Sequence, residues 1–145
     1  MSQARVVLHA AAFIAPVVAV YGVIAAFGLH VPEVGGMVVP AIAAAQIGAL
    51  TGWPLLERFR ASAWGVPLMI GLLMALVTHL VFGPLSVVSQ MPFSKTSMGD
   101  DAFSAALLFS CLSAVVAGPV SAPATMAIAV FVHRLRSKEL VRVTV

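Results

Sequence analysis

The sequence predicts an all-α integral membrane protein: a four-helix bundle, both termini cytoplasmic, with a kink in the fourth helix. Apolar residues fill 61% of its 145 positions and charged residues only 9%, against roughly 25% charged in an ordinary soluble domain, so a water-facing shell cannot be built. The charges fall in short clusters between four uncharged tracts, Val6 to Pro32, Val34 to Leu56, Ala61 to Ser94 and Ala102 to His133. Each tract exceeds the roughly 20 residues a helix needs to cross about 30 Å of hydrocarbon. None alternates with period two, and all are too long for the roughly 10-residue strands of a membrane barrel.

Signals at the tract ends set the expected elements of a single transmembrane domain covering residues 1–145. The first span is expected over 6–29. It is longer than the 7 to 15 apolar residues of a signal peptide and lacks a clear small-x-small cleavage site, so retention is expected. The second, over 35–53, is closed by Pro54, which cannot donate a backbone hydrogen bond. The third, over 64–85, carries Pro67 in its first turn, where the missing donor costs nothing. An outer loop over 85–101 follows, and Asp100 or Asp101 caps a fourth span over 102–132. That span is longer than the hydrocarbon core, and Pro119 and Pro123 remove the helical donors for the carbonyls of Val115 and Pro119, so it should kink near Gly118. Ser121 and Thr125 are placed to help satisfy the freed groups. A tail over 133–145 completes the chain.

Orientation follows from lysine and arginine. Arg5, Arg58, Arg60, Arg134, Arg136, Lys138 and Arg142 fall on one side, and Lys95 alone on the other. Basic residues are retained in the cytoplasm, so this asymmetry puts both termini inside and the Glu33 turn and the 85–101 loop outside. Trp53 and Trp64 bracket the inner hairpin at headgroup level. A multi-pass protein of a cell membrane, of the bacterial inner-membrane kind, is expected. The net charge of +3 is then a matter of topology and lipid contact rather than nucleic-acid binding.

Apolar side chains gain little from each other in lipid, so membrane helices associate where small residues let backbones approach. Three small-residue stripes are visible: Ala44, Gly48 and Gly52 in the second span, Gly71, Ala75, His79 and Gly83 in the third, and Ser110, Ala114, Gly118 and Ala122 in the fourth. Gly48 and Gly52 form a GxxxG pair that would also serve a homo-oligomer or a larger membrane complex.

His79 is the outlier among buried polar residues. An ionisable group inside a span is costly and marks a functional site by default. By helix register Tyr21, Ser110 and Ser113 lie at a similar depth, with Gln46 slightly nearer the cytoplasm, and these five form the candidate ligand or proton site. We expect a neutral imidazole, one nitrogen donating and one accepting, with Tyr21 and a fourth-span serine as partners.

Several chemistries lack their residues. No carboxylate lies within a span, Cys111 is the only cysteine, and His9, His30 and His133 have no metal-ligand spacing, so no metal or other cofactor is expected. GxSxG, HExxH, Walker A and CxxC patterns are missing, and Ser113 with His79 resembles a serine dyad only in composition. The chain therefore reads as non-enzymatic: a structural or accessory membrane subunit first, and an oligomeric transporter or channel around His79 second. A dry, fully packed bundle favours the former, and an aqueous cavity reaching His79 the latter.

Overall fold

The computed structural model describes residues 3–26, 34–59, 63–90 and 101–143. Among these there is no strand, and five helices follow in order: α1 (Gln3–Ala26), α2 (Val34–Arg58), α3 (Gly65–Gln90), α4 (Asp101–Val116) and α5 (Gly118–Val143). Within the described residues, Gly36–Arg58 and Gly65–Gln90 are each long and apolar enough to cross a membrane. The pair Asp101–Val116 and Gly118–Leu135 meets that test jointly, with a bend of 71° between its arms.

Proline accounts for three departures from the expected bounds. Pro54 does not close α2, which continues to Arg58. The Pro54 ring lies exposed, and the extra turn carries Leu56, only 1% exposed, into the core. The dispersion contacts of that buried side chain, small singly and large together, offset one missing helical bond. Pro84 likewise sits exposed inside α3, which runs on to Gln90. Residues 85–90 of the expected outer loop are therefore helical, and Ser86 and Val87 pack inward. At the third place proline wins: the fourth tract divides at Ala117 into two helices. The turn there is held by the Ala117 amide donating to the Ser113 carbonyl (2.9 Å) and the Ser121 amide donating to the Ala117 carbonyl (2.8 Å). Beyond it α5 runs to Val143, so most of the expected tail continues the helix.

Some expectations fall outside the described residues: the end of the first span and the Glu33 turn, Arg60, and residues 91–100 with Lys95 and Asp100. The side chains of Arg5, His9, Arg136, Lys138 and Arg142 also lie outside them.

The third span is the centre of the assembly. Its inward face includes Ile70, Gly71, Ala75, His79, Gly83 and Val87. α2 packs along one side, α4 and α5 along the other, and α1 docks on α2 and α5. Backbones meet where the small residues are. A Cβ on Gly71 would lie 2.6 Å from Met126 Cα, and one on Gly83 would meet the Ala106 carbonyl and lie 2.9 Å from the Ser110 amide nitrogen. Gly48 and Gly52 are buried against Thr78 and Met74 of α3, so the GxxxG surface is used within the chain. The core joins Phe13, Ala49, Leu56, Ile70, Met74 and Ala129.

The expected stripe on the fourth span needs correction. Ala114 is exposed, and a Cβ on Gly118 would have no neighbour nearer than His79 Nε2 at 3.9 Å. The same spacing keeps Gly71, Ala75, His79 and Gly83 buried along α3, which has neighbours on both sides. By contrast α4 packs mainly on α3, so the advance of about 40° per four residues is enough to carry Ala114 off its narrower contact face. The inward residues of α4 are Ala106, Ser110 and Ser113, which lead to Ala117 at the break.

Candidate functional site

His79 lies on the small-residue face of α3, one turn from Ala75 and one from Gly83, where neighbouring backbones come close. The bend in the fourth tract makes room for its ring. His79 Nδ1 is 2.8 Å from Ser113 Oγ on α4, and His79 Nε2 is 2.8 Å from Ser121 Oγ on α5. Each serine is four residues from Ala117, so one imidazole joins both arms of the broken helix. A neutral imidazole has one donor and one acceptor, and a hydroxyl can fill either complementary role. One serine therefore donates its O–H to the bare ring nitrogen, and the ring N–H donates to the other serine. Exchanging tautomers exchanges those roles without losing a bond.

The other expected residues are distributed around this centre. Ser110 is buried, but its hydroxyl donates to the Leu80 carbonyl at 3.0 Å and not to the imidazole. Tyr21 is half-buried and lines the same cavity as His79, yet both ring nitrogens are taken by serines, so the expected tyrosine partner is replaced by Ser121. Gln46 is half-buried on α2 and stands outside the residues that line the cavity. Ser121 and Thr125 do not serve the carbonyls freed by proline as expected: the Ser121 side chain holds His79, and the Thr125 hydroxyl donates to the Ser121 carbonyl at 2.7 Å. Ser121 as a ring partner was missed because its approach depends on the angle of the bend, which spacing along a straight helix cannot supply. Ser86, expected in the outer loop, is fully buried, and its hydroxyl has no partner among the described residues.

Against the His79 wall lies a cavity of about 440 Å³ to which all five helices contribute. Phe13 and Tyr21 enter from α1, Met37 from α2, Phe82 from α3, Phe109 from α4 and Val120 from α5. Among the described residues its polar side chains are Tyr21, Thr78, His79, Ser113, Ser121 and Thr125, and none of those lining it is a carboxylate, lysine or arginine. Among the described residues no group of three or more His, Cys, Asp or Glu is placed to hold a metal ion. Ser113 does touch His79, but a hydrolytic triad needs a group such as a carboxylate on the far nitrogen to fix the tautomer; here that nitrogen faces a hydroxyl. The arrangement suits hydrogen bonding to an uncharged guest in apolar surroundings. No protein-family model, no curated protein and no solved structure matches this chain.

Proposed function

We propose that the chain is a non-enzymatic, four-span membrane protein that binds a small lipophilic molecule within the bilayer, at the wall formed by His79, Ser113 and Ser121. The cavity of about 440 Å³ beside His79 carries this reading. Its volume falls within the roughly 300–1,000 Å³ of small-molecule pockets, which are mostly apolar with a few placed polar groups. A fully packed accessory subunit would leave no such space. The wall is mostly apolar rather than wet, which fits a lipophilic guest better than an aqueous conduit for ions.

Four crossings with both termini cytoplasmic form part of the proposal, with α1, α2, α3 and the bent α4–α5 pair as the spans. If the two arms share the 71° bend equally, each leans about 35° from the membrane normal. At about 1.5 Å rise per residue they still reach roughly 40 Å along it, more than the hydrocarbon thickness. A single bent crossing also agrees with the seven-to-one basic asymmetry, whereas a re-entrant turn would put the basic end of α5 outside. Reporter fusions after Ser137 and within 94–99 should read opposite compartments; matching readings would overturn the four-span arrangement.

The binding reading is tested with 1-naphthol and the purified protein in lipid nanodiscs, with partition into empty nanodiscs subtracted. Saturable binding is expected. Ala41→Phe, which fills the cavity from α2, should abolish it, and Val39→Phe at an exposed position of the same helix should not. Equal binding by both variants would place the probe elsewhere and overturn the proposal.

A further inference from the structure

Resting on that reading, we infer that the guest is an uncharged lipophile whose head donates a hydrogen bond, a phenol or alcohol rather than an ether, hydrocarbon or carboxylate. The inference comes from counting what the His79 wall has left to offer.

Neutral His79 with Ser113 and Ser121 has three polar hydrogens: one ring N–H and two hydroxyl protons. The bonds His79–Ser113 and His79–Ser121, each 2.8 Å, use two of them. One O–H remains. On the accepting side the group starts with a bare ring nitrogen and two lone pairs on each serine oxygen. The same two bonds use the ring nitrogen and one lone pair, so three lone pairs remain. The tautomer only decides which serine keeps the spare proton. In either form both serine oxygens can accept, and just one can donate.

The neighbouring hydroxyls shift this balance without reversing it: Tyr21, which lines the same cavity, adds one phenolic proton together with its own lone pairs. The Thr78 proton goes to the Met74 carbonyl (2.8 Å) and the Thr125 proton to the Ser121 carbonyl (2.7 Å), so both threonine oxygens keep lone pairs and no proton for a guest. The wall is therefore rich in acceptors and poor in donors. A guest that can only accept competes for two protons, one on a serine and one on Tyr21. A guest with an O–H finds an acceptor in either tautomer, and its own oxygen can take the spare serine proton.

Charge is selected against by the same residues. Among the described residues no cation lines the cavity to hold an anionic head and no carboxylate to hold a cationic one, and an unpaired charge inside a membrane is expensive. The rest of the wall sets the body of the guest. Phe13, Tyr21, Phe82 and Phe109 place four aromatic rings around the space, and aromatic pairs gain beyond area burial when offset or edge to face, so a ring-bearing lipophile is suited to it.

The test compares four probes with one ring system in nanodiscs: 1-naphthol, 1-methoxynaphthalene, naphthalene and 1-naphthoate at neutral pH. Relative to its own partition into empty nanodiscs, 1-naphthol should bind roughly threefold to tenfold more tightly than the ether, the span of one net hydrogen bond. Naphthalene should bind no better than the ether, and naphthoate should show no saturable binding. The advantage of naphthol should be lost in the His79→Leu/Ser113→Ala/Ser121→Ala triple variant, since removing the serines alone would free a ring nitrogen to accept, and survive in Ser113→Thr, which keeps the hydroxyl. Circular dichroism and thermal melting of each variant separate loss of the head contact from loss of the fold, and a triple variant that melts early is replaced by His79→Leu/Ser121→Ala, with a reduced advantage expected. Equal binding of naphthol, its ether and naphthalene would overturn the donor-head inference and leave the cavity reading standing. No saturable binding of any probe would overturn the cavity reading itself.

Discussion

Two sets of glycines in this protein do opposite work. Gly71 and Gly83 lie on α3 where the backbones of α5 and α4 press directly on them. Gly118 lies at the break between α4 and α5, and its surroundings are open out to the His79 ring at 3.9 Å. The first set shows how membrane helices adhere without a hydrophobic drive between them, through backbone approach at small residues. The second shows where that approach is relaxed. The same tract that contacts α3 tightly at Ser110 and Met126 bends away between them, and the space it leaves holds an imidazole and a cavity. Packing and site are thus alternate stretches of a single helix pair.

That contrast can be broken at either end. The largest effect is expected for Gly83→Leu, which drives a branched side chain into the Ala106 carbonyl and the Ser110 hydroxyl. Overpacking costs typically about 1–3 kcal/mol and more when backbone must move, so loss of folded protein in mild detergent is expected; a wild-type melting temperature would show that α4 does not press on Gly83. Gly71→Ala comes next. Its methyl group would sit 2.6 Å from Met126 Cα, and a destabilisation of about 1–2 kcal/mol should appear in denaturant titration of the reconstituted protein.

His79→Leu is milder. It removes two bonds of the kind that average about 0.6 kcal/mol each inside membranes, so roughly 1 kcal/mol should be lost, and His79→Gln, which keeps a donor and an acceptor, should recover part of it. Identical stabilities for the leucine and glutamine variants would mean that the serine bonds add nothing to the assembly. Gly118→Ala sits at the small end. A Cβ there meets nothing closer than ordinary contact, and alanine is the better helix former by about 1 kcal/mol in water, so stability should stay within about 0.5 kcal/mol of wild type. A loss as large as that of Gly71→Ala would erase the distinction between the two sets.

The reading of the fold from sequence succeeded where causes are local. Long helices follow from apolar tract length, and the break beside Gly118 follows from two prolines four residues apart. The inward face of α3 was legible because Gly71, Ala75 and Gly83 are small in a run of large residues. Legibility ended where three-dimensional angles enter. Pro54 and Pro84 carry the same chemistry as Pro119, yet the helices continue through them, because Leu56 beyond one and Ser86 and Val87 beyond the other are drawn into the interior. Ser113 could be matched to His79 by depth along a straight helix. Ser121 could not, since only a 71° bend brings residues on opposite sides of Ala117 to the two nitrogens of one ring. The cavity was equally hidden, being a volume left by five helices rather than a property of any residue.

The exposed rings of Pro119 and Pro123 have a consequence for the order in which the molecule is made. No neighbouring side chain needs to push on them for the helix to break, because each ring acts on its own backbone. The tendency to break is therefore a property of the emerging segment, and the angle is fixed where both arms meet His79. During synthesis α3 precedes that segment, so His79 is already waiting when Ser113 and Ser121 arrive. The α4–α5 pair reaches α3 already weakened at Ala117, and the imidazole fixes its two arms. Straightening the segment at its source, rather than removing the histidine, would be the way to derail biogenesis.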